Sequence, residues 1–196
     1  TVTAIAADDH TLTLVGGETI AWNKMLIATG GRARSLDVEG VDLEGVFTLR
    51  TIEDAEGIRS RLSDGASVVV IGAGWIGLEV AAAARKRGAS ATVIEVADRV
   101  CARALTADMS QWVHALHERN GVDIRLTTAF SHFAGDGELQ KVVLGDGTEI
   151  DCGIAVIGIG LIPNTELAAG AGLAVDNGIV VNENGQTSHP DIYAAG

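Results

Sequence analysis

The chain has 196 residues, 47% of them hydrophobic, which is enough to bury a packed core in one or two domains. Its formal net charge of −12 argues against nucleic acid or an anionic membrane surface as a partner, because both need clustered Lys and Arg. No apolar run is long enough to span a membrane, and Cys101 and Cys152 have neither dithiol nor zinc-ligand spacing, so we expect a cytoplasmic protein with reduced thiols.

The N-terminal part is predicted to form short strands followed by a helix. Turn residues separate apolar strands at 2–6, 11–15, 18–21 and 24–30. The last of these ends in Ile27-Ala-Thr-Gly30. A helix from Thr51 to about Leu62 is indicated by Thr51 with Asp54 three positions later, a spacing that caps helix N-termini.

A glycine motif follows an apolar strand at 67–72 and opens an alanine-rich helix at 75–87. Gly72 is suited to the tight turn, Gly74 to close approach of a pyrophosphate, and Gly77 to close packing of helix on strand. Phosphates bind the free N–H groups at such a helix N-terminus. The motif therefore predicts a dinucleotide site, with a plain strand-to-helix turn as the alternative.

A second strand, at 91–95, ends in the carboxylate of Glu95. A carboxylate there accepts hydrogen bonds from the adenosine ribose but repels a 2′-phosphate, which favours NADH over NADPH. A solvated loop acid is the alternative for Glu95. Arg99 and Arg103 follow closely and keep the cofactor choice open, since an arginine is how a 2′-phosphate is accommodated.

The next predicted element is a helix at 107–118, followed by strands at 122–127, 139–144, 148–150 and 154–158. One apolar stripe of the helix is predicted to be Met109, Trp112, Val113 and Leu116. His114, His117 and Glu118 then fall on the outer face and are interpreted as solvated, so no metal site is predicted.

A self-comparison indicates an internal repeat. Leu14–Ile20 and Ile27–Gly30 match Leu144–Ile150 and Ile157–Gly160 at one constant offset of about 130 residues. Two copies of one dinucleotide-binding architecture explain the match, and a chance likeness of two hairpins is the alternative. The glycine motif of the first copy would then precede Thr1, so we expect this chain to be an internal fragment.

Four further segments, in this order, resemble the two-dinucleotide flavoprotein reductases, in particular the NADH-dependent ferredoxin, rubredoxin and putidaredoxin reductases. They are Ile27–Gly30, Leu49–Ala55, Gly158–Leu167 and Thr187–Gly196. The resemblance implies an α/β fold with a Rossmann-like NAD-binding domain, whose parallel sheet has a β-meander crossover. It also implies domain limits, with partial FAD-binding segments at 1–34 and 161–196 and the NAD-binding domain at 35–160.

The resemblance also implies roles for individual residues. Glu79 matches a catalytic acid near the nicotinamide, and Trp75 matches a side chain that covers the nicotinamide pocket. A helix-dipole carboxylate and simple packing are the respective alternatives. The implied cofactor contacts are Gly72, Ala73, Gly74, Trp75, Ile76, Gly77, Glu95, Arg103, Ile157, Gly158 and Gly160 for NAD, and Thr29, Gly30 and Arg34 for FAD.

The activity implied for the complete protein is transfer of hydride from NADH to FAD and of electrons onward to a ferredoxin or rubredoxin. The alternatives are an NADH oxidase or peroxidase, a nitrite reductase subunit, and a non-enzymatic redox sensor of the apoptosis-inducing-factor type. A homodimer is left open. We expect this chain alone to bind NAD but to hold FAD poorly.

Overall fold

The computed structural model describes residues 1–195. Gly196, the last residue of the predicted second FAD segment, lies outside the described residues. The chain divides into two compact units, one formed by Ala33–Gly160 and the other by Thr1–Arg32 together with the described residues from Leu161 onward. The sequence placed the first division two residues later, after residue 34.

The helices are α1 (Ile52–Arg61), α2 (Trp75–Lys86), α3 (Ala107–Arg119) and α4 (Glu166–Gly170). The strands are β1 (Val2–Ala6), β2 (Thr11–Leu14), β3 (Thr19–Ala21), β4 (Met25–Ile27), β5 (Gly31–Ala33), β6 (Val46–Thr48), β7 (Ser67–Ile71), β8 (Ser90–Ile94), β9 (Val122–Arg125), β10 (Phe130–Asp136), β11 (Glu138–Leu144), β12 (Glu149–Asp151), β13 (Ile154–Ile157), β14 (Leu161–Pro163), β15 (Val175–Asp176), β16 (Gly178–Ile179) and β17 (Ile192–Ala194). Between residues 1 and 195, every helix is too short or too polar to cross a lipid bilayer.

The larger unit is built on a five-stranded parallel sheet in the order β6-β13-β7-β8-β9. Its central strands are continuous apolar runs, as expected for strands that are buried on both faces. Val68 and Val70 pack against α1, α2 and α3 on one face of the sheet. Val69 and Ile71 face the antiparallel meander β10-β11-β12 on the other. The sheet is thus the middle of three layers.

The first strand of this meander, β10, was not predicted. Its sequence, Phe-Ser-His-Phe-Ala-Gly-Asp, contains no β-branched residue, so its local propensity for a strand is weak. Two register irregularities interrupt its pairing with β11, between Phe130 and His132 and between Ala134 and Gly135. Phe133 is 1% exposed, so the strand is stabilised by burial of this side chain against other parts of the chain and not by local propensity.

The smaller unit combines a second antiparallel meander, β1-β2-β3, with short paired strands. β17 pairs with β4 in parallel, β14 pairs with β5, and β15 pairs with β16. Ile27 and Ile192, from the paired strands β4 and β17, are buried together with Ala168 and Leu173. The first and last segments of the chain therefore share one core.

The predicted internal repeat is visible in the strand pairing of the two meanders. Leu12 pairs with Ile20 in the first meander, and Val142 pairs with Ile150 in the second, so the two hairpins have the same register at an offset of 130. Each meander also has an irregularity in its first strand, after Val2 in one and after Phe130 in the other, and these residues pair with Leu14 and Leu144, which are again 130 residues apart. The two hairpins are therefore alike in structure as well as in amino-acid sequence.

Half of the predicted apolar stripe of α3 was wrong: Val113 is buried and Leu116 half-buried as predicted, but Met109 and Trp112 are not in the core. Met109 and Trp112 are 47% and 55% exposed, whereas Ser110 and Val113 are buried. Met109 and Ser110 lie four and three positions before Val113, and both spacings are helical, so periodicity alone could not choose between them. The Ser110 hydroxyl donates to the Val100 carbonyl at 2.6 Å, which turns this polar residue toward the core.

We expect Ser110→Ala to lower the free energy of unfolding by about 1–3 kcal/mol, because it leaves the buried Val100 carbonyl without that donor. Ser60→Ala is the matched control, since the Ser60 hydroxyl also donates to a carbonyl, that of Gly57, but at an exposed position. Chemical denaturation of both variants measures the difference. Equal losses of stability would contradict this account of α3.

Candidate dinucleotide site

The candidate site lies where β7 and β13 end side by side. Gly72 follows β7, and its N–H donates to the Ile94 carbonyl at 2.7 Å; Gly158 follows β13, and its N–H donates to the Ile71 carbonyl at 2.8 Å. Ile157, just before Gly158, is 4% exposed and belongs to the core. The chain leaves β7 for β8 on one side and returns as β13 on the other. Ligands of open α/β sheets bind at such a switch point.

Two of the three motif glycines are required by the fold itself. Gly72 has φ +106°, and a Cβ there would lie 2.7 Å from the Gly158 carbonyl oxygen. A Cβ on Gly77 would lie 2.1 Å from the Gly72 carbonyl oxygen, so only glycine lets α2 approach the end of β7. Both contacts are with backbone atoms, which cannot move aside easily.

Gly74 differs from the other two because no contact within residues 1–195 requires a glycine there. Its φ of −76° is open to any residue, and the nearest atom to a Cβ would be the Gly158 carbonyl oxygen at 3.9 Å. Gly74 is the N-cap of α2 and provides no side-chain cap. The first N–H groups of the helix are therefore left without a capping side chain, as a bound phosphate requires.

Glu95 follows β8 and contacts this glycine turn directly. One carboxylate oxygen accepts the Ala73 N–H at 2.8 Å, and the other accepts the Ala97 N–H at 2.9 Å. A carboxylate has about four lone-pair positions, so acceptor capacity remains for a ribose hydroxyl. The sequence predicted the ribose role but gave no sign of the contact with Ala73.

The two arginines after Glu95 differ in their surroundings. The Arg99 guanidinium donates twice to the Ala102 carbonyl, at 3.2 and 2.9 Å. Arg103 is exposed, and one of its guanidinium nitrogens would lie 3.5 Å from a Cβ on Gly160. Only Arg103 therefore extends toward the turn after β13.

Three predicted site residues lie exposed on the first turns of α2. Trp75 is 52% and Ile76 is 47% exposed, so neither large side chain is used fully for packing. The exposed Glu79 carboxylate forms no hydrogen bond or ion pair with residues 1–195. These side chains are available to a ligand at the helix N-terminus.

The residues predicted to contact FAD belong to two different units of the chain. In the smaller unit, the Thr29 hydroxyl donates to the Asn164 carbonyl at 2.7 Å, and the Asn164 N–H donates to the Gly30 carbonyl at 2.9 Å. Arg34 belongs to the larger unit, where its N–H donates to the Gly160 carbonyl at 3.0 Å. Thr29 and Gly30 thus join the first segment of the smaller unit to the second.

Both cysteines are free thiols and are buried. Burial raises the pKa of Cys152 to about 12, and burial, with the nearby Glu95 carboxylate, raises the pKa of Cys101. Neither thiol therefore forms the thiolate readily. Cys101 also has φ +47°, which the sequence did not reveal.

Comparison with known proteins agrees with this geometry. The family model described as pyridine nucleotide-disulphide oxidoreductase matches residues 1–196. The rubredoxin-NAD(+) reductase of Pseudomonas putida is 45% identical over 181 residues, which cover 92% of this chain and 47% of that protein. The covalent putidaredoxin reductase-putidaredoxin complex matches with a TM-score of 0.91 and 42% identity, over 100% of this chain and 48% of that one.

A third match is a FAD-dependent pyridine nucleotide-disulphide oxidoreductase from Desulfovibrio vulgaris, with a TM-score of 0.81 and 32% identity over 100% of this chain and 52% of that one. The chain belongs to the pyridine nucleotide-disulphide oxidoreductases, a family of enzymes. The predicted family and fold class are therefore confirmed. The chain spans about half the length of the curated relatives it matches.

We expect Gly74→Ser to preserve the stability of α2, because serine is a better N-cap than glycine by a few tenths of a kcal/mol. The hydroxymethyl side chain of the serine would also fill the space beside the free N–H groups, so the affinity for NADH should fall by about tenfold or more. Thermal unfolding and NADH titration measure the two effects.

Gly77→Ala serves as the contrasting variant. Its Cβ would meet the Gly72 carbonyl, so we expect a lower unfolding temperature as well as weaker binding. Unchanged NADH affinity in a folded Gly74→Ser variant would argue against a phosphate site at this helix.

Proposed function

We propose that this chain is the NADH-binding portion, with part of the FAD-binding domain, of a flavoprotein reductase that passes electrons to a ferredoxin or rubredoxin. The observation that carries the proposal is Gly74, where a glycine that the fold does not need leaves the N-terminus of α2 open. When bound, the nicotinamide supplies hydride, and the flavin accepts it and releases single electrons.

The residues around Gly74 fit an adenine dinucleotide without a 2′-phosphate. Glu95 lies at the end of β8, where its negative charge repels a phosphate and its free lone pairs accept a ribose hydroxyl. Arg99 is engaged with the Ala102 carbonyl, and Arg103 approaches Gly160 in the turn after β13, so neither guanidinium is held ready for a 2′-phosphate beside Glu95. NADH is therefore preferred over NADPH.

Two exposed side chains on α2 are assigned to the nicotinamide end. Trp75 covers the nicotinamide pocket and excludes water from it, and its half-exposed indole is free to move aside. Glu79 orients the nicotinamide carboxamide, because its free carboxylate can accept a hydrogen bond from the carboxamide NH2 group. Glu79 is thus the proposed catalytic residue of this chain.

The domain assignment extends this proposal. Residues 35–160 form the NAD-binding domain, and 1–34 and 161–196 belong to the FAD-binding domain, in which Thr29, Gly30 and Arg34 contact FAD. The hydrogen bonds between Thr29 and Asn164 support this, because they hold the end of the first segment against the second. We place the protein in the cytoplasm, since both cysteines are free thiols.

The iron–sulfur acceptor is proposed from the names of the relatives, which include a rubredoxin-NAD(+) reductase and a complex with putidaredoxin. In the full-length protein, we expect ferredoxin or rubredoxin to accelerate NADH oxidation under anaerobic conditions, measured at 340 nm. Oxygen, peroxide and nitrite are tested separately as acceptors. A rate that responds to one of these but to no iron–sulfur protein would refute the proposed acceptor.

We expect Glu95→Gln to reduce the preference for NADH over NADPH by about tenfold, roughly 1.4 kcal/mol, because it removes the charge that repels the 2′-phosphate. Asp98→Asn is the matched control: it also removes one negative charge, but Asp98 is exposed and, within residues 1–195, forms no hydrogen bond with the glycine turn. Dissociation constants for both nucleotides decide the test. Equal changes in the two variants would show that Glu95 does not read the ribose.

A further inference from the structure

The peptide groups on either side of Ala73 are held from two directions by the connection between β8 and α3. Ala73 is fully buried, and its N–H donates to the Glu95 carboxylate at 2.8 Å. Its carbonyl accepts the Cys101 N–H at 2.9 Å and lies 3.6 Å from the Cys101 Sγ. We refer to this arrangement of Glu95, Ala73 and Cys101 as the Ala73 clamp.

The clamp fixes where the neighbouring N–H groups point. A trans peptide directs its C=O and its N–H to opposite sides. Because the Ala73 carbonyl is held against Cys101 in the interior, the N–H of Gly74 in the same peptide is directed the other way. Within residues 1–195 that N–H has no hydrogen-bond acceptor.

Cys101 contacts Ala73 from an unusual backbone conformation. Its φ of +47° lies in the left-handed region, which residues with a Cβ rarely adopt. Neighbouring bonds hold it there: the Ala104 and Leu105 N–H groups donate to the Cys101 carbonyl at 2.9 and 3.0 Å. Ser110 fixes the preceding residue by donating to the Val100 carbonyl at 2.6 Å.

We propose that Cys101 is a positioning residue for the dinucleotide, which acts through its left-handed backbone by holding Ala73 so that the Gly74 N–H is aimed at the pyrophosphate. The inference rests on the proposed NADH site and extends it to a residue that does not touch the ligand. The thiol fills core space beside Ala73, while the backbone N–H sets the orientation.

The test uses two substitutions at position 101 in the full-length protein. Cys101→Gly keeps the left-handed backbone without strain and keeps the N–H, so the NADH dissociation constant should stay within about threefold of wild type. Cys101→Val fills the core but disfavours that conformation, so the constant should rise by about tenfold or more. A purely packing role predicts the reverse order, because glycine leaves a void and valine does not.

Fragments of NADH, used as inhibitors, show which part of the nucleotide loses its contacts in the variant. In Cys101→Val, inhibition by ADP-ribose should weaken as much as NADH binding, whereas inhibition by adenosine, which lacks the pyrophosphate, should not change. The maximal rate at saturating NADH should also stay the same, so the loss falls on KM. Cys152→Val is the matched control, since Cys152 is an equally buried thiol in the core on the other face of the sheet.

FAD content and unfolding temperature verify that each variant is folded. Wild-type NADH affinity in folded Cys101→Val, or an equal loss in Cys101→Gly, would overturn the clamp while leaving the proposed function intact. Failure of the wild-type protein to bind NADH would overturn both.

Discussion

The close approach of α2 to the end of β7 is the constraint on which the larger unit depends. At the crossing, the Gly72 carbonyl faces Gly77 so closely that a single added methyl group would lie 2.1 Å from the oxygen. Beyond this point Leu78, Ala81 and Ala84, which are 1%, 0% and 0% exposed, continue the contact with the sheet. Small residues in the helix let the two backbones meet, and the helix N-terminus is thereby brought to the sheet edge where ligands bind.

The same turn connects ligand recognition to folding. Glu95 is the proposed ribose contact, yet its carboxylate already accepts two backbone N–H groups of the protein, from Ala73 and Ala97. Hydrogen bonds to a charged acceptor are stronger than neutral ones, so this residue stabilises the turn whether or not a nucleotide is bound. In the proposed site, nucleotide selectivity and loop geometry therefore depend on one side chain.

Much of the fold could be predicted from the sequence because its signals are local. Thr51 and Asp54 form the expected capping box, and the valine run of β7 pairs in parallel on both sides. The failures are places where distant contacts decide. The rotation of α3 depends on a hydrogen bond from Ser110 to Val100, and β10 depends on the burial of Phe133.

The candidate site likewise has some residues that could be predicted from the sequence and others that could not. The glycines and Glu95 were recognisable because their spacing in the chain reflects a strand, a turn and a second strand. The contribution of Cys101 could not be recognised from the sequence. Its left-handed φ results from hydrogen bonds to Ala73, Ala104 and Leu105 that no residue pattern encodes. A cysteine also has no special preference for that conformation, unlike glycine or asparagine.

If α2 binds the pyrophosphate as proposed, its first turn gives up a small amount of stability for binding. Among the four helices within residues 1–195, α1 has a side-chain cap from Thr51, whereas α2 begins after Gly74, which has no side chain to offer one. Thr106 and Thr165 precede α3 and α4, but neither side chain caps its helix. A glycine N-cap costs a few tenths of a kcal/mol relative to serine, and the loss is borne at a position where neither φ nor packing demands glycine. The deep burial of Leu78 and Val80 offsets that cost, so the helix can leave its first N–H groups open for a ligand.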